Sequence, residues 1–562
     1  MNMLDEEKNK PNKQDEGDLG GEVNPKLREL WDWVLKEDSK PQDDEELPEL
    51  DDTHLSDDNH DETNEDLTDT DVDAQNEIDD FDDEYYEDDE AEEDDYDRDD
   101  YYDDEDLGEG DSLDPLEESV KKKKKFAWGY TFVLVIMFTI FGSITIATYL
   151  VFLRSNITIP NIIVYVSIIS LLFFLLLLVV RYLVLIYLSF LHHVRNKTLP
   201  DLPPDPNLKG SILVPAYNEE KVIRRSILSL LEINHPNYEI IVIDDGSKDD
   251  TLKIARSLEG WHRGVQVRVF TQPNKGKAEA LNHGLLRATG HIIICMDGDS
   301  RLGKNALRMG MRHFKDPKIH AVAGNVKVIN RINLLSKLQA LEYIEGLNLA
   351  RRAQAFFKAV NIVPGPMGFF RREVLLEVGG WEGDTFAEDC DLTLKVLNKG
   401  YGIEYEPDAI SFTEAPENLI PLLKQRYRWT RGILQSIRKH STGLINFHRG
   451  WRIVITMWQM IFEAIMWPFM SVLANIMFLT VAIVFGMSPL IVLWWIQLTI
   501  LDTLAAMHTV AIEREKLSLV PYAILYRLFF IQIVDVTKLI ATVEELLNIK
   551  MGWGKLERKG RI

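Results

Sequence analysis

The sequence predicts an α/β protein in which a soluble unit, built on a mostly parallel sheet, is set between groups of membrane-spanning helices and preceded by an acidic tail. Three observations predict this. Strand-like apolar runs alternate with helical patterns between residues 208 and 440, and apolar stretches of spanning length flank that region on both sides. Residues 1–120 carry 53 acidic and 8 basic side chains, whereas residues 121–562 carry 37 and 54, so the formal net charge of −28 belongs to the tail. The spanning runs exclude a purely soluble protein, and two cysteines in 562 residues exclude a disulfide framework or a Cys-rich zinc module. Neither a nucleic-acid binder nor a secreted miniprotein fits.

The tail, residues 1–120, is nearly all Asp, Glu, Asn, Thr and Tyr from about residue 40, with too little apolar surface to offset the entropy of folding, and is expected to be mostly disordered. Within it, KLRELWDWVLKE (26–37) spaces Leu27, Leu30, Trp31, Val34 and Leu35 as one face of a short amphipathic helix. Its net charge of −45 faces a remainder of +17, which makes loose self-association available and predicts a modulating or spacing role, dispensable for chemistry.

Lys121 to Lys125 stand immediately before a first apolar run, and a second run ends at His192, His193, Arg195 and Lys197. Residues 121–195 therefore read as two transmembrane helices with both outer ends in the cytoplasm. Residues 451–543 are again apolar, in runs 451–486, 489–511 and 517–543, followed by a basic tail, 544–562. Three C-terminal spans after two N-terminal ones would place that basic end outside, against the positive-inside tendency. One C-terminal segment lying in the interface, or the run around Pro468 being two spans, would relieve the conflict. Glu463, Asp502, Arg527, Asp535 and Lys538 are costly in lipid and should face a polar interior or one another.

In the soluble middle, SILVPAYNEE reads as a buried strand and loop followed by a helix over 220–231. EIIVIDDGSKDD follows as a strand ending at Asp244 and Asp245, then a helix near 249–259, the strand VQVRVF, the helical NKGKAEALNHGLLRATG, and the strand HIIICM running into Asp297 and Asp299. In parallel sheets ligands bind at the carboxyl ends of strands, where these acidic groups lie. A D-x-D pair by itself says little, since Asp71–Asp73 and Asp97–Asp99 also match within the tail. The buried strand before Asp297, and the two βα units before that, set this pair apart as a candidate for a hard divalent cation. Gln425, Arg428 and Trp429 fall on one helix face, where amide, guanidinium and indole can meet one ligand. Cys295 and Cys390 read as small apolar packing residues with free thiols.

VPAYNE (214–219), DDGS (244–247), NKGKAEALN (274–282), DGD (297–299), AEDCD (387–391) and Gln425-Arg426-Tyr427-Arg428-Trp429, in that order, resemble the catalytic domain of processive family 2 glycosyltransferases, the membrane-embedded synthases of β-linked polysaccharides. The resemblance covers about 230 residues, 208–440, and implies a GT-A type nucleotide-sugar-binding fold. It implies donor contacts from Pro215, Tyr217, Glu219, Asp245, Lys277 and Asp297, and Mg2+ or Mn2+ on Asp297 and Asp299. It further implies Asp389 as general base with Glu388 beside it, and acceptor or diphosphate contacts from Gln425, Arg428 and Trp429. The sequence departs from the family's T-E-D pattern at Ala387, which removes a hydroxyl that could cap the helix.

The compact layout, with no β-rich cytoplasmic domain after Trp429, resembles poly-N-acetylglucosamine synthases more than cellulose synthases. It implies polymerisation from UDP-N-acetylglucosamine onto a growing polysaccharide, with translocation, in the plasma membrane, and an accessory membrane or export protein as partner besides the lipid bilayer. Hyaluronan-type synthesis, transfer of one sugar to a lipid acceptor, and a non-catalytic membrane scaffold are the alternatives.

Overall fold

The computed structural model describes residues 162–199, 205–485 and 489–549, all within one compact unit. The acidic tail, the helix expected over 26–37, the first spanning run and the end of the basic tail lie outside the described residues.

The soluble unit is built on a nine-stranded sheet with spatial order β3-β4-β2-β1-β5-β8-β7-β9-β6. β1 (Gly210–Ala216), β2 (Tyr238–Asp244), β3 (Gly260–His262), β4 (Val265–Thr271) and β5 (Ile292–Cys295) come first. β6 (Ser300–Leu302), β7 (Ile319–Val328), β8 (Gly368–Arg371) and β9 (Gly402–Thr413) follow. The parallel core expected from the sequence is present: β4, β2, β1 and β5 pair in parallel. Their residues are buried on both faces in β1, β2 and β5, which is why they read as continuous apolar runs. The sequence reading stopped short of β6 to β9, which make the sheet mixed. β8 runs antiparallel between β5 and β7, β9 pairs parallel with β7, and β6 closes the edge antiparallel to β9.

Three helices position the site. α4 (Lys277–Arg287) follows the NKG loop, α9 (Glu388–Asn398) follows AED, and α10 (Leu419–Lys439) carries the Gln-Arg-Trp motif. The others are α1 (Ile162–Lys197), α2 (Ile223–Leu231), α3 (Thr251–Arg256), α5 (Ala306–Met311), α6 (Leu334–Leu341), α7 (Leu349–Phe356), α8 (Arg372–Val378), α11 (Trp451–Ile461), α12 (Trp467–Phe485), α13 (Pro489–Ile512), α14 (Tyr522–Leu525) and α15 (Ile531–Leu546). Residues Glu342–Asn348 join α6 to α7 through a widened π turn.

Among the described residues, four helical stretches are long and apolar enough to cross a membrane: Leu172–Lys197, Trp451–Thr480, Trp495–Ile512 and Leu517–Leu546. Their boundaries with the soluble unit are interlocked rather than hinged. At the end of α1, His192 and Arg195 pair with Glu404 of β9 at 3.1 and 2.6 Å, while the Asn196 amide donates to Glu406. The basic cluster read as marking the cytoplasmic end of this helix is thus also a contact with the soluble unit. On α11, Ile453, Val454, Met457 and Met460 enter the core cluster that holds Leu213, Ile241 and Ile293 of the sheet. The costly charges meet partners, as the price of burial requires: Glu463 pairs with Arg181, Asp502 with Arg527, and Asp535 lies 3.8 Å from Lys538.

Candidate active site

The loops at the carboxyl ends of β1, β2 and β5 converge. Asn218 takes a left-handed backbone, φ 52°, and its side-chain oxygen accepts from the amide of Lys248, while its own amide donates to Ser247 at 3.0 Å. These bonds tie the VPAYNE loop, with Tyr217 and Glu219 half-buried, to the DDGS loop. Asp245 is buried and accepts from the Gln272 amide and from the backbone amides of Lys275 and Gly276, all within 2.9 Å. Its carboxylate thus shapes the NKG loop from which α4 begins. Gly246, at φ 70°, is required there: a Cβ would lie 2.7 Å from the Asn274 nitrogen.

Lys277, the first residue of α4, links the two acidic motifs. Its Nζ lies 2.6 Å from Asp297 Oδ1 and 2.9 Å from Glu388 Oε1. Gly365 covers it, since a Cβ at that position would come within 2.8 Å of Nζ. Burial alone would lower the Lys277 pKa, but Asp297 and Glu388 hold it well above the usual lysine value. Glu388 is the mirror case: burial would raise it, and Lys277, with Arg428 contributing, keeps it below the carboxylate norm. Arg428 thereby acts on the same site as the acidic motifs.

Asp389 differs from its neighbour. Burial and then the Glu388 charge push it up to about 6, against Lys277 and a hydrogen bond from the Cys390 amide. Two adjacent carboxylates are therefore held apart in proton affinity, a common arrangement for acid–base work. Ala387 is the helix N-cap and supplies no side-chain cap. Its small side chain abuts α10, where a Cβ on Gly432 would lie 2.6 Å from it. The Asn282 amide fixes the loop leading to this point, donating to the Trp381 carbonyl and accepting from the Trp381 amide at 2.8 and 2.9 Å.

On α10, Gln425 is buried and accepts from Arg426. Arg426, which the sequence reading passed over, pairs with Glu342 through two bonds and lies 4.3 Å over the Trp429 ring. Tyr343 approaches the same indole, with ring centroids 6.3 Å apart. Arg351 was also missed. It is a buried cation whose charge is opposed by burial and favoured by Tyr405 and then Asp389. Nothing in its local sequence, LARRAQAF, distinguishes it from a surface helix.

Asp297 and Asp299 present hard oxygen donors at the end of β5, and Asp299 is buried. Lys277 occupies one oxygen of Asp297, so this donor set fits a divalent cation that completes its shell from phosphate oxygens rather than from a protein cage. Among the described residues, the three-carboxylate grouping is elsewhere, at Glu382, Asp384 and Asp391, and the Lys439 ammonium fills it. Cys295 and Cys390 are free and buried, and burial pushes both thiols up.

Residues 211–379 match the model of Glycosyl transferase family 2. The chain is 34% identical to the poly-beta-1,6-N-acetyl-D-glucosamine synthase of Staphylococcus aureus over 252 residues, 44% of this chain and 60% of that protein. It is 34% identical to the Staphylococcus epidermidis synthase over 225 residues, 40% and 54% of the two. The match thus spans less than two thirds of these relatives. Among solved structures, a mannosyltransferase from Pyrobaculum calidifontis in complex with GDP-Man and Mn2+ aligns with 20% identity and TM-score 0.48, covering 68% of this chain and 100% of that one. Residues 1–349 of S. aureus TarS in complex with UDP-GlcNAc align with 18% identity and TM-score 0.32, covering 60% and 92%. Residues 211–379 are thus similar to a glycosyl transferase family 2 domain, in a chain that carries helical stretches of membrane-spanning length and is similar over part of its length to poly-beta-1,6-N-acetyl-D-glucosamine synthases.

Proposed function

We propose that the chain is an inverting, processive glycosyltransferase that extends a β-linked glycan from a UDP-sugar, with UDP-N-acetylglucosamine as donor, and passes the product across the plasma membrane. The observation that carries this reading is the contrast across Lys277. It joins Asp297 at one strand end to Glu388 on α9, while Asp389, next in sequence, has its proton affinity pushed up to about 6.

In this reading Tyr217, Glu219 and Asp245 frame the nucleotide, and Lys277 meets the diphosphate. Bound Mg2+ or Mn2+ on Asp297 and Asp299 would offset the negative charge that builds on the departing diphosphate. Asp389 takes the proton of the acceptor hydroxyl as that oxygen attacks the anomeric carbon from the face opposite the leaving group, which inverts the configuration. Glu388 stays ionised and holds Lys277 in place. Trp429, fixed by Arg426 and Tyr343, offers a ring face to the acceptor sugar, and Arg428 adds positive charge. The soluble unit and the acidic tail lie in the cytoplasm, where the UDP-sugar is found.

The deciding experiment is product analysis in isolated membranes supplied with radiolabelled UDP-N-acetylglucosamine, UDP-glucose and UDP-glucuronate. A long, β-linked N-acetylglucosamine polymer is expected. Alternating sugars would assign a hyaluronan-type synthase, and a lipid carrying one sugar would assign a non-processive transferase.

A further inference from the structure

The stretch Leu517–Leu546 is apolar and long enough to cross a bilayer, about 37 Å over its 25 helical residues from Tyr522 onward. Both of its ends are fastened to the soluble unit. Just before it, the Glu513 carboxylate accepts from Arg352 and Asn325 at 2.7 Å each, and Glu515 pairs with Arg331 and Lys327 at 2.6 and 2.9 Å. All of these groups are buried, and Asn325 and Lys327 belong to β7. At its far end, Glu545 accepts from Arg431 and Gln435 and pairs with Arg438, and Tyr427 donates to Glu544. Arg431 also donates to the Ile549 carbonyl, and Arg438 to Asn548. These partners sit on α10, the helix that bears Trp429.

Between the two ends, Leu519, Ala523, Tyr526, Phe530 and Val534 pack with Leu338, Leu341, Ile344 and Leu422 of the soluble unit. The opposite face carries Phe529, Ile533, Val536, Ile540, Val543 and Leu547, each between 39% and 66% exposed, at alternating spacings of four and three residues. That is one straight apolar stripe along a helix.

We infer that residues 517–547 do not cross the membrane but lie along its surface, on the side that holds the soluble unit, with this stripe in the lipid of that leaflet. One folded body cannot hold Glu513 and Glu545 on opposite faces of a hydrocarbon layer about 30 Å thick. The occupant of the stripe is lipid because the helix also docks on spanning helices: Gln532 accepts from Asn475 of α12 at 2.7 Å, and Arg527 pairs with Asp502 of α13. The stripe therefore continues the exposed apolar surface of α12, including Phe469, Ile476 and Leu479. Between residues 467 and 513 the chain leaves the soluble unit once and returns once. The apolar content that makes 517–546 read as a span is what an interfacial helix needs on one face and a protein core needs on the other. This inference depends on membrane embedding and not on the glycosyl-transfer reading.

The test uses the full chain in sealed vesicles. Single cysteines are placed at Ser518, Asn548 and Trp261, the last an exposed marker on β3, and treated with a membrane-impermeant maleimide. All three should react from the same side. Reaction of Asn548 from the side opposite Trp261 overturns the inference. Nitroxide labels at Ile533, Val536 and Ile540 should then report nearly equal, shallow depths by oxygen and nickel-chelate relaxation. A steady change of depth by about 10 Å over those seven residues would mean a crossing helix. Access to the aqueous reagent alone, or spin–spin broadening between copies, would place water or a second copy on the stripe and overturn the lipid assignment.

Discussion

The ammonium of Lys277 stands 2.9 Å from Oε1 of Glu388, although 111 residues separate them in sequence. Because the same ammonium lies 2.6 Å from Asp297, substrate charge sensed at one motif reaches the other through a single side chain. Lys277→Ala should lower the apparent kcat/KM for the UDP-sugar by roughly 100-fold or more, a loss typical of a charge-assisted contact to substrate. Lys277→Arg should recover little, because Gly365 leaves no room for the larger head. Recovery of more than half the activity in Lys277→Arg would show that positive charge alone suffices.

Asp389 has its proton affinity raised from the ordinary aspartate range to about 6 by burial and the Glu388 charge. A base must be ionised to act, so the rate should fall about tenfold per pH unit below pH 6 and level off above it. Glu388→Gln removes the neighbouring negative charge and should shift that limb to lower pH. A limb that stays in place under this substitution would assign it to another group.

Asp389→Asn should abolish sugar incorporation while leaving UDP binding, measured by calorimetry, within a few-fold of the unaltered chain, because it removes a proton acceptor and keeps the shape. If binding and turnover collapse together, Asp389 serves the donor pocket instead.

Asp299→Asn removes a buried carboxylate from the end of β5. Mn2+ binding in the presence of UDP, followed by electron paramagnetic resonance, should weaken by at least tenfold, and incorporation should stop, as chelation by EDTA should also stop it. Undiminished Mn2+ binding would place the cation on other ligands.

Glu345, in the π turn, is buried beside Asp502 and its proton affinity is pushed up to about 8 by burial and that neighbour. A carboxyl raised in the folded state supports folding while protonated, so its contribution is present at low pH and is lost as pH rises through about 8. Thermal stability in detergent should therefore fall progressively as pH rises from the ordinary carboxylate range to about 8 and level off above it, and Glu345→Gln should flatten that decline. An equal decline in both proteins would trace it to other groups.

The parallel half of the sheet was legible because β1, β2 and β5 bury both faces and leave unbroken apolar runs. β7 and β9 were not, because their buried positions include Lys327, Glu404 and Glu406. Such residues read as solvent-facing until their partners, Glu515, His192 and His313, arrive from distant segments. The site followed the same division. Lys277, Asp297, Glu388 and Asp389 stood out through their order in the chain, whereas Arg426 and Arg351 owe their places to Glu342 and to burial between helices. For 517–543 composition left a spanning and an interfacial segment equally open, because hydropathy does not record that both ends of a helix are tied to one body.

Residues 208–440 are not an autonomous piece of protein. A fragment cut after residue 440 would lose Ile453, Val454, Met457 and Met460 from its interior, opening a cavity worth several kcal/mol at about 2–5 kcal/mol per large side chain. It would also strand Lys327, Arg331, Arg352 and Arg431, whose carboxylates are Glu513, Glu515 and Glu545, at about 3–5 kcal/mol for each broken buried pair. Either loss rivals the 5–15 kcal/mol that holds a domain together. Expression of the excised domain should yield insoluble chain, because the membrane helices and the soluble unit share one interior and fold as one block.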